Sequence, residues 1–232
     1  MGREKAVILL SGGLDSATCL ALARKAGYEP HALTILYGQR HGIEVAAARR
    51  IARYYKVEAH LILRVPIDAF GGSSLTDRRI PVHKGSLSKG IPSTYVPARN
   101  TVFLALALSW CETLGARHLF IGVNALDYSG YPDCRPRYIR AFGKLARLAT
   151  RRGVGHNWRF KIHAPLLRMT KARIVRKAVS LGVPVVLTRS CYDPRRGRPC
   201  GVCDSCILRE KGFREANMRD PAGRKGARAC AG

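Results

Sequence analysis

The sequence predicts an α/β fold: a doubly wound, mostly parallel five-stranded sheet with helices on both faces. Apolar runs of strand length alternate with helical patterns along the first two-thirds of the chain. The first apolar run leads directly into a glycine turn and the start of a helix. At 232 residues the chain is long enough to bury the core of one such domain and to carry a small appendage.

The first element is a buried strand over Lys5–Leu10, and a helix over Ser16–Ala26 follows it and stops at Gly27. Four more strands are expected by the same alternation, at His31–Tyr37, Glu58–Leu63, Arg117–Gly122 and Arg159–Ala164. Four more helices are expected between and after them, at Ile43–Tyr55, Thr101–Leu114, Pro136–Arg151 and Thr170–Leu181.

Side-chain patterns justify these helices individually. The second is amphipathic, with an apolar side made of Val45, Ala46, Ile51 and Ala52. The third is apolar almost all round, which predicts a buried helix. The last has Thr170 as its N-cap, and Pro184–Leu187 beyond it is expected to be extended.

Residues Pro66–Pro97 interrupt the alternation with glycines and prolines. A connection this long is typically either functional or disordered. We interpret it as a mobile flap near the active site, and a surface insertion is the alternative.

The formal net charge of +26 arises from 41 lysines and arginines against 15 acidic residues. A nucleic-acid surface would explain it, as would a generally arginine-rich composition spread over solvated faces. The second interpretation is favoured because the basic residues are scattered and form no aromatic-interleaved block. No apolar run approaches the ~20 residues of a membrane span, and the N-terminus leads straight into a strand, so a cytoplasmic protein with no membrane partner is expected.

Four cysteines near the C-terminus have the spacing C-x8-C-x2-C-x2-C, namely Cys191, Cys200, Cys203 and Cys206. Four thiolates suit a closed, tetrahedral structural zinc site. An iron–sulfur cluster is the alternative, but the ferredoxin pattern needs a further cysteine where this chain has Glu210. The expected division is therefore a catalytic domain at 1–188, a zinc subdomain at 189–217 and a disordered basic tail at 218–232.

The turn after the first strand, Ser11–Ser16, has the sequence SGGLDS. Backbone N–H groups and a helix N-terminus converge there on an anion, and the glycines let the backbone approach it closely. It lacks the lysine of a Walker A loop and resembles the pyrophosphate-binding loop of the ATP pyrophosphatase (PP-loop) superfamily; a chance glycine turn is the alternative. The ATP-binding residues expected here are Leu10, Ser11, Gly12, Gly13, Leu14, Asp15, Ser16, Ala17 and Thr18.

Further motifs make the resemblance specific. They are YGQRH at 37–41, VPARN at 96–100, GVNALDYSGYPDCRP at 122–136, SCY at 190–192 and CGVCDSC at 200–206. Together they resemble the 7-cyano-7-deazaguanine synthase family from about Lys5 to about Phe213.

The resemblance implies an ATP-dependent carbon–nitrogen ligase with an adenine nucleotide alpha-hydrolase-like fold. Its substrates would be 7-carboxy-7-deazaguanine, ammonia and ATP, and its product the nitrile of queuosine and archaeosine precursor synthesis. The carboxylate is adenylated, ammonia captures it as an amide, and a second activation permits dehydration. The resemblance also implies a homodimer.

Ligands of open α/β sheets lie beyond the carboxyl ends of the strands, where these motifs begin. The expected catalytic residues are Asp15, Ser16, Arg99 and Asp127, with the two aspartates near Mg²⁺ and Arg99 near negative charge. The expected substrate contacts are Tyr37, Gln39, Arg40, His41, Tyr128, Tyr131 and Asp133.

Each of these assignments has a plainer alternative. Arg99 could cap or line a helix, and His41 could orient a loop. Residues 131–133 could only build a turn, and Cys134 is interpreted as pocket wall. At the level of function, the alternatives are a PP-loop enzyme that modifies intact tRNA and a non-catalytic nucleotide-binding protein. A separate RNA-binding domain is not evident in the sequence.

Overall fold

A computed structural model describes residues 2–88, 90–126, 131–155 and 158–223. Its sheet has five parallel strands, as predicted, and the strand order is β3-β2-β1-β4-β5. The strands are β1 Lys5–Leu9, β2 Glu29–Leu36, β3 Ala59–Arg64, β4 His118–Phe120 and β5 Lys161–His163.

Seven helices cover the sheet or extend from it in the described part of the chain. They are α1 Leu14–Lys25, α2 Ile43–Tyr54, α3 Arg99–Leu114, α4 Pro136–Leu148, α5 Arg151–Val154, α6 Lys171–Ser180 and α7 Asp204–Glu215. The third and fourth helices bury Leu104 and Phe142 in one apolar layer. The first, second, sixth and seventh form the other layer, with Leu20, Ile51 and Phe213 at its centre.

The central strand β1 determines where the site lies. Val7 pairs with His31 of β2 on one side and with Leu119 of β4 on the other. The chain order of the strands reverses between β1 and β4, and open α/β sheets bind ligands in the crevice at such a point. The loop that follows β1 lies directly at this crevice.

Two predictions of helix faces were wrong. The third helix is buried on one face only, and Thr101, Ala105 and Ser109 are exposed. Its small and polar positions let it lie on the surface of the sheet despite its apolar composition. In α2, Ala46 is exposed while Ala47 is buried, because the helix is rotated so that its central alanines face β2.

Three local differences have clear physical reasons. The chain turns at Thr150, whose Oγ1 accepts a hydrogen bond from Gly153 N at 2.9 Å and starts the short α5. Residues Val185–Leu187 form a 3-10 turn, where an extended segment was expected. Helix α7 was not predicted, and it packs against α6 and buries Leu208 and Phe213.

The long connection between β3 and α3 contacts the cysteine-rich segment. Its Lys84 forms an antiparallel bridge with Cys203, and Gly85 N donates to Val202 O at 2.8 Å. Val82 is buried beside the cysteines. The connection is therefore anchored on the C-terminal part of the chain.

The first residues of the predicted C-terminal tail, 218–223, make defined contacts with the rest of the protein. Arg209 of α7 binds Asp220 in a bidentate pair at 2.6 and 2.9 Å, and Ala222 is buried. The predicted tail extends from there to residues outside the described part, and the domain division stays a prediction. Within the residues described, no helix combines the length and the apolar character that crossing a membrane requires.

Candidate active site and metal centre

A cleft of about 240 Å³ lies at the carboxyl ends of the strands. It is lined by the turn after β1, by the start of α2 and α3, and by the segments after β4 and before α7. These are the elements on which the sequence placed its motifs. The cleft therefore gathers residues from distant parts of the chain at the point where the strand order reverses.

The SGGLDS loop forms the floor of the cleft and is held by its own serines. Ser11 Oγ lies 3.1 Å from Ser16 Oγ and accepts a hydrogen bond from Gly13 N at 3.3 Å. Ser16 Oγ in turn donates to Gly13 O at 3.1 Å. Because α1 begins at Leu14, the positive end of its dipole points into the cleft, which suits a phosphate.

The two glycines of this loop have different roles. Gly12 has a φ of +90°, and a Cβ there would lie 2.2 Å from Glu44 O and 2.8 Å from Ala48 N. It is glycine because the loop packs directly on the backbone of α2. Gly13 has an ordinary φ of −80° and lines the cleft, where a ligand could replace Ser11 Oγ as the acceptor of its backbone N–H.

Asp15 is paired with a lysine from the other end of the domain. Lys171 Nζ lies 2.8 and 3.0 Å from the two carboxylate oxygens. Both side chains line the cleft and are largely buried. The pair places one cation and one carboxylate beside the loop, which is a suitable arrangement for phosphate oxygens and a magnesium ion.

The opposite wall is aromatic and cationic. The Arg99 guanidinium carbon lies 5.4 Å from the centre of the Tyr37 ring and 5.8 Å from that of Phe103. Arg99 Nη1 also donates to Tyr37 OH at 3.3 Å. Burial raises the pKa of Tyr37 to about 12, so this phenol stays neutral and can act as a hydrogen-bond donor.

The start of α3 is fixed by a buried carboxylate. Asp133 Oδ2 accepts a hydrogen bond from Asn100 N at 3.0 Å, and Ala98 before the helix has a left-handed φ of 52°. Tyr131 OH lies 2.8 Å from Thr94 Oγ1 and its ring faces the cleft wall. These contacts hold Arg99 in position at the helix N-terminus.

The cleft has two carboxylates and four cations in the described part of the chain. The carboxylates are those of Asp15 and Glu44. The cations belong to Arg99, Lys171, Arg189 and Arg209. This excess of positive charge favours the phosphates of a nucleotide.

The four predicted metal ligands come together. The Sγ atoms of Cys191, Cys200, Cys203 and Cys206 all lie within 4.8 Å of one another. A tetrahedron with zinc–sulfur bonds of about 2.3 Å has edges of about 3.8 Å, so the cluster fits such an ion. Hydrogen bonds among the thiols lower the pKa of Cys203.

Comparison with known sequences decides the family. The family model of the queuosine biosynthesis protein QueC matches residues 5–217. The chain belongs to the QueC family. Curated QueC relatives include the 7-cyano-7-deazaguanine synthase of Anaeromyxobacter sp. (strain Fw109-5), 59% identical over 94% of this chain and 95% of its own. That of Geobacter sulfurreducens is 58% identical over 94% of this chain and 92% of its own.

Solved structures related to this QueC chain share its fold. NMN synthetase from Francisella tularensis aligns with a TM-score of 0.52 and 17% identity over 97% of this chain and 82% of its own. A 4-thiouridine synthetase, solved with RNA and bound ATP, aligns with a TM-score of 0.51 and 20% identity over 92% of this chain and 50% of its own. At these identities the likeness concerns the fold alone.

The structure brings most of the predicted QueC site residues to the cleft. Those that line it are Leu10, Ser11, Gly13, Leu14, Asp15, Ser16, Tyr37, Gln39, Arg99 and Tyr131. Asp127 and Tyr128 lie outside the described residues. Gln39 contributes by accepting a hydrogen bond from Tyr37 N at 2.8 Å.

Several predicted contacts lie away from the cleft. Ala17 is buried in the core, and Thr18 Oγ1 donates to Leu14 O at 2.7 Å within α1. Arg40 binds the carbonyl oxygens of Asp77 and Ile80 at 2.8 and 2.5 Å in the long connection. His41 Nε2 lies 3.3 Å from Tyr192 O, which agrees with the loop-orienting alternative.

Other cleft residues were missed by the sequence reasoning. Lys171 could have been noticed, because a lysine in the first turn of a helix opposes the helix dipole. Glu44 carried no such signal, since an acidic residue in the first turn is ordinary. Ser190, Ser205 and Arg209 belong to the cysteine-rich segment, where only metal chemistry had been expected.

Proposed function

We propose that this chain converts 7-carboxy-7-deazaguanine and ammonia to 7-cyano-7-deazaguanine, with cleavage of ATP to AMP and pyrophosphate. The main evidence for this function is the cleft itself, in which the SGGLDS loop lies opposite Arg99 and Tyr37. The relatives named 7-cyano-7-deazaguanine synthase align with this chain over nearly their whole length. Modification of intact tRNA is the less favoured alternative.

The loop is assigned to the phosphates of ATP. Gly13 N–H, the hydroxyls of Ser11 and Ser16, and the start of α1 present donors to the departing pyrophosphate. Asp15, with Asp127, would hold Mg²⁺, which neutralises charge on the phosphate oxygens when it is bound. Lys171 holds Asp15 and adds a second positive charge at this end of the cleft.

The wall with Arg99 is assigned to the organic substrate. A guanidinium pairs with a carboxylate or an adenylate phosphate through its planar donors. Tyr37, Phe103 and Tyr131 offer aromatic faces and a neutral phenol to a planar base. Conversion of the carboxylate to an acyl adenylate gives the reaction a good leaving group, so the protein contributes mainly positioning and charge neutralisation.

The cysteine cluster is assigned to a structural zinc ion. Four sulfur ligands leave no open position for substrate, and Cys203 connects through its backbone to the long segment at Lys84. The ion would therefore fix the cleft-lining residues that flank the cluster, Ser190 and Ser205. The described cysteines are free, and thiols are kept reduced in the cytoplasm, which we propose as the location of the enzyme. We also propose that the enzyme is a homodimer.

A small-molecule assay tests the proposed function. The purified protein is incubated with ATP, ammonium and 7-carboxy-7-deazaguanine, with and without unmodified tRNA, and the products are followed by mass spectrometry. We expect the nitrile to form at the same rate in both reactions. A product that appears only on added tRNA would favour the RNA-modifying alternative.

A further inference from the structure

Glu44 is a cleft residue to which none of the motifs assigned a role. It lies in the first turn of α2, and Gly12 of the phosphate loop packs against its carbonyl oxygen. The residue is half-buried and lines the cleft. It is therefore next to the predicted position of the reacting phosphates.

The two cleft carboxylates differ in their surroundings. Asp15 is held by two contacts to Lys171 at 2.8 and 3.0 Å. Among the residues that the structure describes, no hydrogen bond or ion pair engages the Glu44 carboxylate. Its oxygens are available to accept a hydrogen bond from a small ligand in the cleft.

The surroundings of Glu44 in the cleft favour a proton acceptor. Burial raises the pKa of Glu44 to about 7, and the positive charge of Arg99 across the cleft opposes this rise. Tyr37 is another titratable group that interacts with it, and it stays neutral. A carboxylate with a pKa near the operating pH is an efficient general base.

The proposed reaction needs a group of this kind. Ammonia attacks a carbonyl carbon in a cleft where cations outnumber carboxylates, so a site for the proton it loses is required. We propose that the Glu44 carboxylate binds the attacking ammonia and accepts its proton, which makes Glu44 a catalytic residue for amide formation. This inference rests on the proposed function and deepens it.

The step balances with one base. The nitrogen lone pair of neutral ammonia forms a bond to the carbonyl carbon of the acyl adenylate. The bond between that carbon and the phosphate oxygen breaks, and AMP leaves with the electron pair. One N–H proton passes to Glu44, which later loses it to water, and the product is the neutral amide.

The matched variants are Glu44→Gln and Glu58→Gln. Glutamine keeps the size of the side chain and removes the proton acceptor. Glu58 is an exposed residue before β3 and serves as the control for loss of one acidic charge. Glu44→Asp keeps the base on a shorter side chain and should recover part of the activity.

Two reactions of the full-length, metal-loaded protein separate the steps. Exchange of labelled pyrophosphate into ATP, driven by 7-carboxy-7-deazaguanine without ammonium, measures adenylation alone. Formation of amide and nitrile at saturating ammonium measures capture, the attack of ammonia on the acyl adenylate. Removal of a general base typically costs about 100-fold or more, so we expect Glu44→Gln to lower capture by that factor while exchange stays within about threefold.

The outcomes decide between the two proposals. If capture by Glu44→Gln stays within about threefold of the parent, or if exchange falls as far as capture does, Glu44 is not the proton acceptor. The second result would show that the residue only supports the loop through α2. If the parent protein itself gives no exchange and no nitrile, the proposed function is wrong.

Discussion

Replacement of Gly12 by alanine should unfold or strongly destabilise the protein. Alanine would have to adopt a φ of +90°, and its Cβ would lie 2.2 Å from Glu44 O and 2.8 Å from Ala48 N, both backbone atoms. Strain at such a φ costs about 1–3 kcal/mol. Overpacking adds about 1–3 kcal/mol, so we expect a loss of about 2–6 kcal/mol from a typical total of about 5–15 kcal/mol.

Gly13→Ala is the matched comparison. At a φ of −80° alanine fits without strain, and the nearest atom to its Cβ is Ser11 Oγ at 3.4 Å. Its stability should stay within about 1 kcal/mol of the parent. The new methyl group lies at the cleft floor, so its affinity for ATP should fall at least tenfold, or about 1.4 kcal/mol.

Urea unfolding and ATP titration of both variants provide the test. Gly12→Ala should shift the unfolding midpoint to lower urea with an unchanged slope, or give no folded protein. Gly13→Ala should keep the midpoint and lose binding. A wild-type midpoint for Gly12→Ala would refute the packing of the loop on α2, and wild-type affinity for Gly13→Ala would refute the phosphate assignment.

Three other predictions concern catalysis, the metal centre and pH. Asp15→Asn should lower kcat/KM by about 100-fold or more but stability by no more than about 3 kcal/mol, because the largely buried asparagine oxygen can still accept a hydrogen bond from Lys171; equal turnover would contradict the role of Asp15. Cys203→Ser should lower the metal content measured by mass spectrometry, while Cys134→Ser, outside the cluster, keeps it; unchanged zinc in Cys203→Ser would contradict the four-sulfur site. Burial lowers the pKa of His163 to about 4, below its value of about 6.5 in the unfolded chain. Between these two pH values the unfolded state binds more protons than the folded state. The free energy of unfolding should therefore fall by about 1–3 kcal/mol as the pH drops from 7 to 4. The fall is measured as a decrease in the urea midpoint, and it should be smaller in His163→Phe. An identical pH dependence of the two proteins would contradict the role of His163.

The central strands could be predicted from the sequence because they are short apolar runs buried on both faces, whereas β3 is only partly buried and β5 begins with the exposed Lys161. β1 and β2 are almost entirely buried, and their composition shows it. Strands β4 and β5 are shorter than predicted, because only three residues of each strand form pairs between them. Ladder length depends on the partner strand, which a single run of residues does not specify.

Helix α7 shows what local patterns miss. It has the predicted metal ligand Cys203 as its N-cap and has buried residues on several sides, including Leu208, Arg209 and Phe213. Its burial comes from packing against α6 and from the pair between Arg209 and Asp220. Such tertiary contacts override the weak periodicity of a segment rich in glycine, cysteine and charge.

The site was predictable mainly where its residues follow directly after strands. Residues at strand ends, such as Ser11 and Asp15, were expected at one edge of the sheet because parallel strands end together. The contact between Lys171 and Asp15 joins residues 156 positions apart, and no local pattern encodes it. Arg40 lies near the expected edge, but carbonyl oxygens of the long connection bind its side chain.

The nucleotide product of turnover tests the central claim most directly. In a reaction with 7-carboxy-7-deazaguanine and ammonium, the cleft floor at Ser11–Ser16 is expected to retain pyrophosphate while the organic acid takes AMP. Quantitative chromatography should show AMP and pyrophosphate rising together with the nitrile. Accumulation of ADP and orthophosphate would contradict the account.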